Sequence, residues 1–285
     1  MEHRQIGWDG LRFRVPALWQ AAVIRDGYLL FEEDSRPVFG LRWQPVPEGL
    51  SPRDLVRRLQ RRGEAKNIRI RLQDGPVGSF PLPDHLAGHG FSWQQGEEGG
   101  KGLLLLSSRS RRASLLQFHR PLSPLETSDL LRSFQDHGGE ETPQLWAMYD
   151  IRCLLPARAR LARSRFLLGR YTLAFDLDGL EIVLHRFRPA AELLAGSSLE
   201  LFGQRVLGMR SQWLLRKEAD CCEWEKAATR MERFLGRLQK GKRAARRLRL
   251  WRPAGENGLL AVGLECNTQI DGRLFEELCA SYGFA

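Results

Sequence analysis

The feature that most constrains the fold is an internal duplication of the chain. LRFRVPA at 11–17 and IRCLLPA at 151–157 both alternate apolar and other residues and end at a proline, which is typical of a strand. Each is followed by a short apolar run with a tyrosine near its start, GYLLFEED at 27–34 and RYTLAFDLD at 170–178. A repeat of this kind decides how the chain divides. The sequence therefore predicts two related modules.

Helix signals recur at matching places in the two copies. SPRDLVRRLQRRG at 51–63 begins with a serine N-cap and a proline at the first helical position. The second copy has a longer helical segment at 190–208 that Gly196 interrupts. Each copy closes with another helix. The closing helices and their expected caps are 125–138 with Thr127 or Ser128, and 271–283 with Asp271.

Between these helices both copies return to strands joined by tight turns. GGKG at 99–102 and AGEN at 254–257 each separate two apolar segments, which predicts hairpins. Each copy is thus expected to run β-β-β-α-β-β-β-α. Because alternating strands need only one covered face, the predicted class is α+β, with helices packed on a mainly antiparallel sheet in each module. The linker at 138–144 places the modules at 1–139 and 144–285.

The first copy opens with a pattern of aromatic residues, glycine and proline. The residues are Trp8, Gly10, Leu11, Phe13, Val15, Pro16 and Trp19, and a hairpin, an aromatic-ending strand and a helix follow them. This opening resembles that of PsbP/Mog1p-like domains. The resemblance implies a sheet-and-helix module that mainly binds other proteins, and it carries over no functional residue. The second copy departs from the pattern, with Cys153 at the Phe position and no tryptophan after its proline.

Positive charge is concentrated in one part of the second copy. The chain has a formal net charge of +10, and residues 201–255 hold 15 Lys and Arg against 5 Asp and Glu. Segment 226–243 has apolar residues at helical spacing and is expected to form a basic amphipathic helix. The arginines that follow alternate with leucine, as in a strand with one cationic face. We interpret 226–252 as a basic segment inserted into the second module.

A basic surface of this kind attracts acidic partners. It pairs with phosphates or carboxylates, and Trp224 and Trp251 are candidates for stacking on unpaired bases. We expect a non-enzymatic protein-interaction or scaffolding protein. Direct nucleic-acid binding is the alternative, and an enzyme with a site in a cleft between the modules is a third. The residues expected to contact the acidic protein or nucleic acid are Lys240, Lys242, Arg243, Arg246, Arg247, Arg249 and Trp251.

Two motifs that invite a chemical interpretation favour a structural one. His85 and His89 are four residues apart, but Gly88 disfavours a helix and Leu86 stands where zinc metalloproteases have a glutamate. GGKG at 99–102 lacks the full spacing of a phosphate-binding loop and precedes leucines rather than a helix. No metal site and no cofactor are expected.

Acidic pairs and cysteines remain as candidate catalytic groups for the enzyme alternative. The acids at 32–34 and at 176–178 occupy equivalent positions of the two copies, where solvated turns explain them more simply. Cys221 and Cys222 are adjacent, and a redox role for them stays open. No catalytic residue is assigned.

Cysteine usage and hydropathy suggest a compartment for the chain. The five cysteines have no CxxC spacing, so neither a disulfide framework nor a zinc site is indicated. The first residues lack an apolar signal segment, and no apolar stretch is long enough to span a membrane. We expect a cytoplasmic protein without membrane contact, either a pseudo-symmetric monomer or a dimer.

Overall fold

Antiparallel strands dominate the computed structural model of the chain. It describes residues 2–65, 67–72, 82–138, 141–229 and 243–285. Strand accounts for 49% of the structure and helix for 19%. The chain divides into two compact units, Met1–Glu140 with Leu145–Tyr149 (unit 1) and Glu141–Gln144 with Asp150–Ala285 (unit 2).

Unit 1 is built around a seven-stranded antiparallel sheet. The whole of unit 1 contains the strands β1 (His3–Trp8), β2 (Leu11–Pro16), β3 (Gln20–Arg25), β4 (Tyr28–Glu33), β5 (Arg36–Pro45), β6 (Arg69–Leu72), β7 (Leu86–Gln95), β8 (Glu98–Ser107), β9 (Arg112–Phe118), β10 (Gln135–Asp136) and β11 (Gln144–Met148). Its helices are α1 (Pro52–Glu64) and α2 (Pro124–Ser133). The sheet has the order β3-β4-β5-β9-β8-β7-β6. Outside it, β2 pairs with β1 and β10, and β1 pairs with β11.

Unit 2 has a seven-stranded sheet with the order β13-β14-β15-β19-β18-β17-β16, which repeats that of unit 1 with every strand number raised by ten. Its elements are β12 (Ile151–Leu155), β13 (Arg160–Leu167), β14 (Arg170–Leu177), β15 (Leu180–Phe187), α3 (Ala190–Leu194), α4 (Leu199–Leu207), a 3-10 helix (Ser211–Trp213), β16 (Leu214–Lys217), β17 (Cys221–Lys226), β18 (Ala245–Trp251), β19 (Leu259–Cys266), α5 (Gly272–Ser281) and β20 (Gly283–Phe284). β12 pairs with β20.

The predicted α+β class, with a duplicated β-β-β-α-β-β-β-α order and helices packed on each sheet, is wrong. The structure is sheet-dominated, because each unit contains strands that the sequence pattern does not reveal. The edge strand β13 illustrates the reason. Most of its residues are exposed, so it lacks the alternation of apolar and polar residues that marks a half-buried strand. The edge strands β6 and β16 are only four residues long.

Most local helix signals correspond to helices, with two exceptions. One is the cap of α2. The other is the basic helix predicted at 226–243, because Lys226 lies in β17, 227–229 are not helical, and 230–242 fall outside the described residues. Ser51 caps α1 and Asp271 caps α5, each through its side-chain oxygen and a backbone N–H of the first turn. The expected caps Thr127 and Ser128 are wrong, since both lie inside α2 and Ser123 caps that helix. The expected break in the 190–208 segment is present, because residues between α3 and α4 adopt positive φ.

The hairpin expected at 99–102 turns earlier, at Gly96, whose φ is 59°. The GGKG segment therefore lies inside β8 and is neither a turn nor a loop. Its glycines reflect close packing, because a Cβ at Gly102 would lie 2.2 Å from the ring of Phe91. The hairpin expected around 254–257 joins β18 to β19 and is confirmed.

The opening pattern of the first copy forms the core of unit 1. Trp8, Phe13 and Trp19 are all buried. The ring of Phe13 stacks on that of Phe134 with centroids 5.9 Å apart, and it contacts Phe31 edge-on at 6.0 Å. Aromatic contacts of this kind add to the burial of large apolar area. Phe13 of β2 therefore joins Phe31 of β4 to Phe134, the residue directly after α2.

Two helical regions cover different parts of the unit 2 sheet. On one face, Leu199 and Phe202 pack with Trp224 and Leu248 in a buried cluster. Gly203 of α4 permits this contact, because a Cβ there would lie 2.5 Å from the Trp224 ring. α5 lies against β19 and β12. Among the described residues no helix is long and apolar enough to cross a membrane.

Candidate anion-binding pocket

The basic residues expected to bind a partner lie in different surroundings. Lys240 and Lys242 fall outside the described residues, as does 230–242, which holds most of the predicted basic helix. The remaining basic residues belong to β18 or directly precede it. β18 is an integral strand that pairs with both β17 and β19. Because side chains alternate along a strand, its arginines divide between the two faces of the sheet.

Arg247 and Arg249 form an ion-pair cluster with β17 and α5. Buried Glu223 accepts a hydrogen bond from Nε of Arg247 at 2.8 Å and one from Nη2 of Arg249 at 2.7 Å. Glu276 accepts from Nη2 of Arg249 at 2.7 Å. Both guanidinium groups lie over the ring of Phe275, 4.4 and 5.3 Å from its centroid. The carboxylates neutralise these arginines within the fold.

The pKa of Arg249 reflects this arrangement. Burial opposes its charge, but hydrogen bonds to Glu276 and Glu223 raise the pKa above its ordinary value. Trp251 is partly buried and meets Tyr282 edge-on with centroids 6.0 Å apart. Trp224 is fully buried. The two tryptophans considered for base stacking thus take part in packing.

Arg243 and Arg246 belong to the other face of the sheet. Arg243 pairs with Glu181 at 2.8 Å, and Arg246 pairs with Glu265 at 2.8 Å. Arg246 also donates to the backbone oxygen of Leu207, the last residue of α4, at 2.9 Å. Arg246 therefore lies at the edge of the area of the sheet that α4 covers. The neighbouring area of the same face is not covered by α4.

The open part of this sheet face forms a pocket of about 520 Å³, here called the arginine pocket. Strand pairing brings its residues together: Thr172 lies opposite both Arg165 and His185, and Gly263 lies opposite Val183. The lining residues are Arg163, Ser164, Arg165, Leu167, Arg170, Thr172, Glu181, Val183, His185, Val206, Leu207, Arg246, Leu248, Gly263 and Glu265.

The arginine pocket carries an excess of positive charge. Its described lining includes four arginines and two glutamates, an excess of two positive charges. Arg163 is paired with Glu181 at 3.0 Å, and Arg246 is paired as described above. Arg165 and Arg170 form no ion pair with any described residue. Burial and the nearby charge of Arg165 lower the pKa of Arg170, as expected for a cation without a counter-ion.

His185 lies in the floor of the arginine pocket. Its ring is buried, and its Nδ1 lies 3.1 Å from the hydroxyl of Thr172. Burial, together with the positive charges of Arg170, Arg246 and Arg163, lowers the pKa of His185 to about 3. The imidazole is therefore neutral near physiological pH. All three arginines line the same pocket as His185.

Three of the acids considered for the enzyme alternative lie in ion pairs or hairpin turns, and the cysteines considered for it are partly or fully buried. Glu33 pairs with Arg120 at 2.9 Å, and Asp178 pairs with Arg158 at 3.0 Å. Asp34 and Asp178 have φ of 50° and 52° in two-residue hairpin turns, a conformation that aspartate tolerates well. Burial raises the pKa of the thiols of both Cys221 and Cys222, which disfavours the reactive thiolate.

The two histidines that are four residues apart lie near the beginning of β7 and just before it. His85 precedes β7 and His89 lies within it, so they are not on a helix. Within the described ranges no group of three or more His, Cys, Asp or Glu is placed to hold a metal ion. The spacing of His85 and His89 therefore has no third ligand there.

Three of the pocket arginines were not among the binding residues predicted from the sequence. Arg163, Arg165 and Arg170 lie in RSRFLLGR, where two arginines alternate on one strand and a third follows a Leu-Leu-Gly turn. This spacing places them on one face of a hairpin, and that is the signal from which they could have been found. No family model matches the chain, and no curated protein matches it.

Proposed function

We propose that the protein is a binding module that recognises an acidic segment of a partner protein through the arginine pocket of unit 2. The observation that carries this proposal is the pair of arginines, Arg165 and Arg170, that lack a carboxylate partner among the described residues. Arginine without a counter-ion in a concave site is suited to pair with carboxylate or phosphate groups of a ligand. The proposal keeps the expected acidic partner and moves its site from β18 to the hairpin of β13 and β14.

The rim of the arginine pocket supports a protein partner. Leu167 is 45% exposed and Leu168 is fully exposed, both at the tip of the β13–β14 hairpin. Arginine beside exposed apolar side chains is typical of protein interfaces, where apolar contacts exclude water around the charged pair. A nucleic-acid site relies instead on a long basic track and on exposed stacking aromatics. Trp224 and Trp251 do not supply such a surface.

The internal contacts of the pocket favour binding over catalysis. Glu181 accepts from Arg163 and Arg243, and Glu265 pairs with Arg246, so both carboxylates already have arginine partners within the fold. A carboxylate held by arginine in this way is less free to approach a substrate as a general base.

The proposal is tested with a short labelled peptide of alternating glutamate and leucine, measured by fluorescence anisotropy at physiological salt. Arg165→Glu/Arg170→Glu is expected to weaken binding by about tenfold or more, since loss and reversal of charge act together. The matched control is Arg152→Glu/Arg205→Glu. It makes the same charge change in unit 2 at two exposed arginines that do not line the pocket.

Two outcomes would contradict the proposal. An equal loss of affinity in the control variant would mean that only net charge matters. Tighter binding of single-stranded DNA than of the peptide, with the same dependence on Arg165 and Arg170, would assign the pocket to nucleic acid.

A further inference from the structure

We infer that the acidic group taken by the arginine pocket is a phosphate monoester on a side chain of the partner protein. This inference rests on the proposed function and names the chemical group that the pocket recognises. Three properties of the pocket carry it: its charge, the number of strands that supply its arginines, and the room in its floor.

The charge of the pocket matches a dianion better than a carboxylate. The four lining arginines exceed the two lining glutamates by two charges, and His185 is neutral. A phosphate monoester carries a charge of about −1.5 to −2 near neutral pH. It would neutralise the excess, whereas one carboxylate would leave about half of it uncompensated.

The donors of the pocket come from several strands. Arg165 belongs to β13, Arg170 to β14 and Arg246 to β18, and Thr172 of β14 lies opposite both Arg165 and His185. A planar carboxylate is matched by the fork of a single arginine. A tetrahedral phosphate has three terminal oxygens that accept from several directions at once. A pocket whose arginines come from three strands is therefore better suited to phosphate.

The floor of the pocket has room at Gly263. A Cβ at this position would lie 3.6 Å from Cδ1 of Leu248 and 3.8 Å from the backbone oxygen of Val183, which are ordinary contacts. Protein packing therefore does not require glycine there. A glycine inside a strand weakens the strand. Gly263 therefore lowers the stability of β19 somewhat, and its missing side chain leaves open space in the pocket. Gly263→Ala fills part of this space without a clash.

The experiment compares two peptides of identical sequence that carry phosphoserine or glutamate at one position, with affinities measured by isothermal titration calorimetry. The phosphoserine peptide is expected to bind about tenfold more tightly. Gly263→Ala is expected to reduce this preference severalfold. Arg170→Lys, which keeps the charge but loses the planar fork, is expected to do the same.

The matched control for the glycine variant is Gly283→Ala in β20. A Cβ at Gly283 would meet no atom within 4 Å, and this residue does not line the pocket. This variant should keep the full preference for phosphoserine. Inorganic phosphate should displace the phosphoserine peptide, whereas sodium chloride of equal ionic strength should not.

The outcomes separate this inference from the proposed function. Equal affinities for the two peptides, both lost in Arg165→Glu/Arg170→Glu, would overturn the phosphate assignment and leave the proposed function standing. If neither peptide responds to that variant, both proposals fail. If inorganic phosphate binds as tightly as the phosphoserine peptide, the ligand would be free phosphate rather than a phosphorylated side chain. If a single-stranded oligonucleotide competes better than the peptide, the partner would be a nucleic acid rather than a protein.

Discussion

At the scale of the single residue, the position of a side chain on one or the other face of β18 decides its role. Arg246 lies on the face of the arginine pocket and lines it together with His185. Arg247, the next residue in the chain, pairs with Glu223 at 2.7 Å and contacts the ring of Phe275. Adjacent arginines thus have different partners because strand side chains alternate.

His185 gives a pH dependence of stability whose sign follows from its surroundings. The groups that line its pocket are four arginines, which disfavour a charged imidazole, and two glutamates already paired with arginine. The unfolded histidine takes up a proton near its ordinary pKa of 6.5, but the folded one does so only near 3. The contribution of the neutral imidazole is fully present above pH 6.5 and is lost as the pH falls towards 3.

We therefore expect His185→Gln to flatten the decline in free energy of unfolding between pH 6.5 and pH 3. Glutamine can still bond to Thr172 but takes up no proton. The measurement is urea denaturation over this range for wild type and variant. Curves that decline in parallel would show that His185 does not titrate as described.

At the scale of the element, the same substitution in two strands should have opposite effects. Gly102→Ala in β8 is expected to lower the free energy of unfolding by about 2 kcal/mol, because the new Cβ overlaps the ring of Phe91. Gly263→Ala in β19 is expected to raise it by about 0.5 kcal/mol, because the added methyl meets no close contact and the unfolded chain loses freedom. Chemical denaturation measures both. Destabilisation by Gly263→Ala would contradict the space seen in the pocket floor.

Elements differed in how far the sequence revealed them. The starts of α1 and α5 followed from Ser51 and Asp271, because a helix cap depends on residues only two or three positions away. β13 could not be found by alternation, because its residues are mostly exposed on both faces. Its arginines gained their meaning only when pairing placed Arg165 opposite Thr172.

At the scale of the whole molecule, net charge along the sequence differs from charge available to a partner. The chain has a net charge of +10, and the densest basic segment includes Arg247 and Arg249. Both of these arginines are neutralised by glutamates from β17 and α5. The resemblance to PsbP/Mog1p-like domains stays a prediction, as does the cytoplasmic localisation.

Two double variants with the same charge change separate structural from available arginines. Arg247→Glu/Arg249→Glu should lower the free energy of unfolding by about 3 kcal/mol or more, because it leaves buried Glu223 without its counter-ions. Arg165→Glu/Arg170→Glu should lower it by less than about 1 kcal/mol, because neither arginine has an ion pair with a described residue and only the contact of Arg170 with the Phe187 ring is lost. Thermal and urea unfolding measure the difference. Equal losses would mean that the pocket arginines also hold the fold together.

The sequence by itself determined the features that depend on near neighbours: several helix starts, the hairpin around 254–257, and the similarity of the two halves. Only the tertiary structure decided the predominance of sheet, the neutralisation of Arg247 and Arg249, and the pocket around His185. Each of these depends on which strands become neighbours. Glu223 and Glu276 are 53 residues apart, yet both reach Arg249. Ion pairing and burial arise from contacts between distant segments, and a local pattern does not contain them.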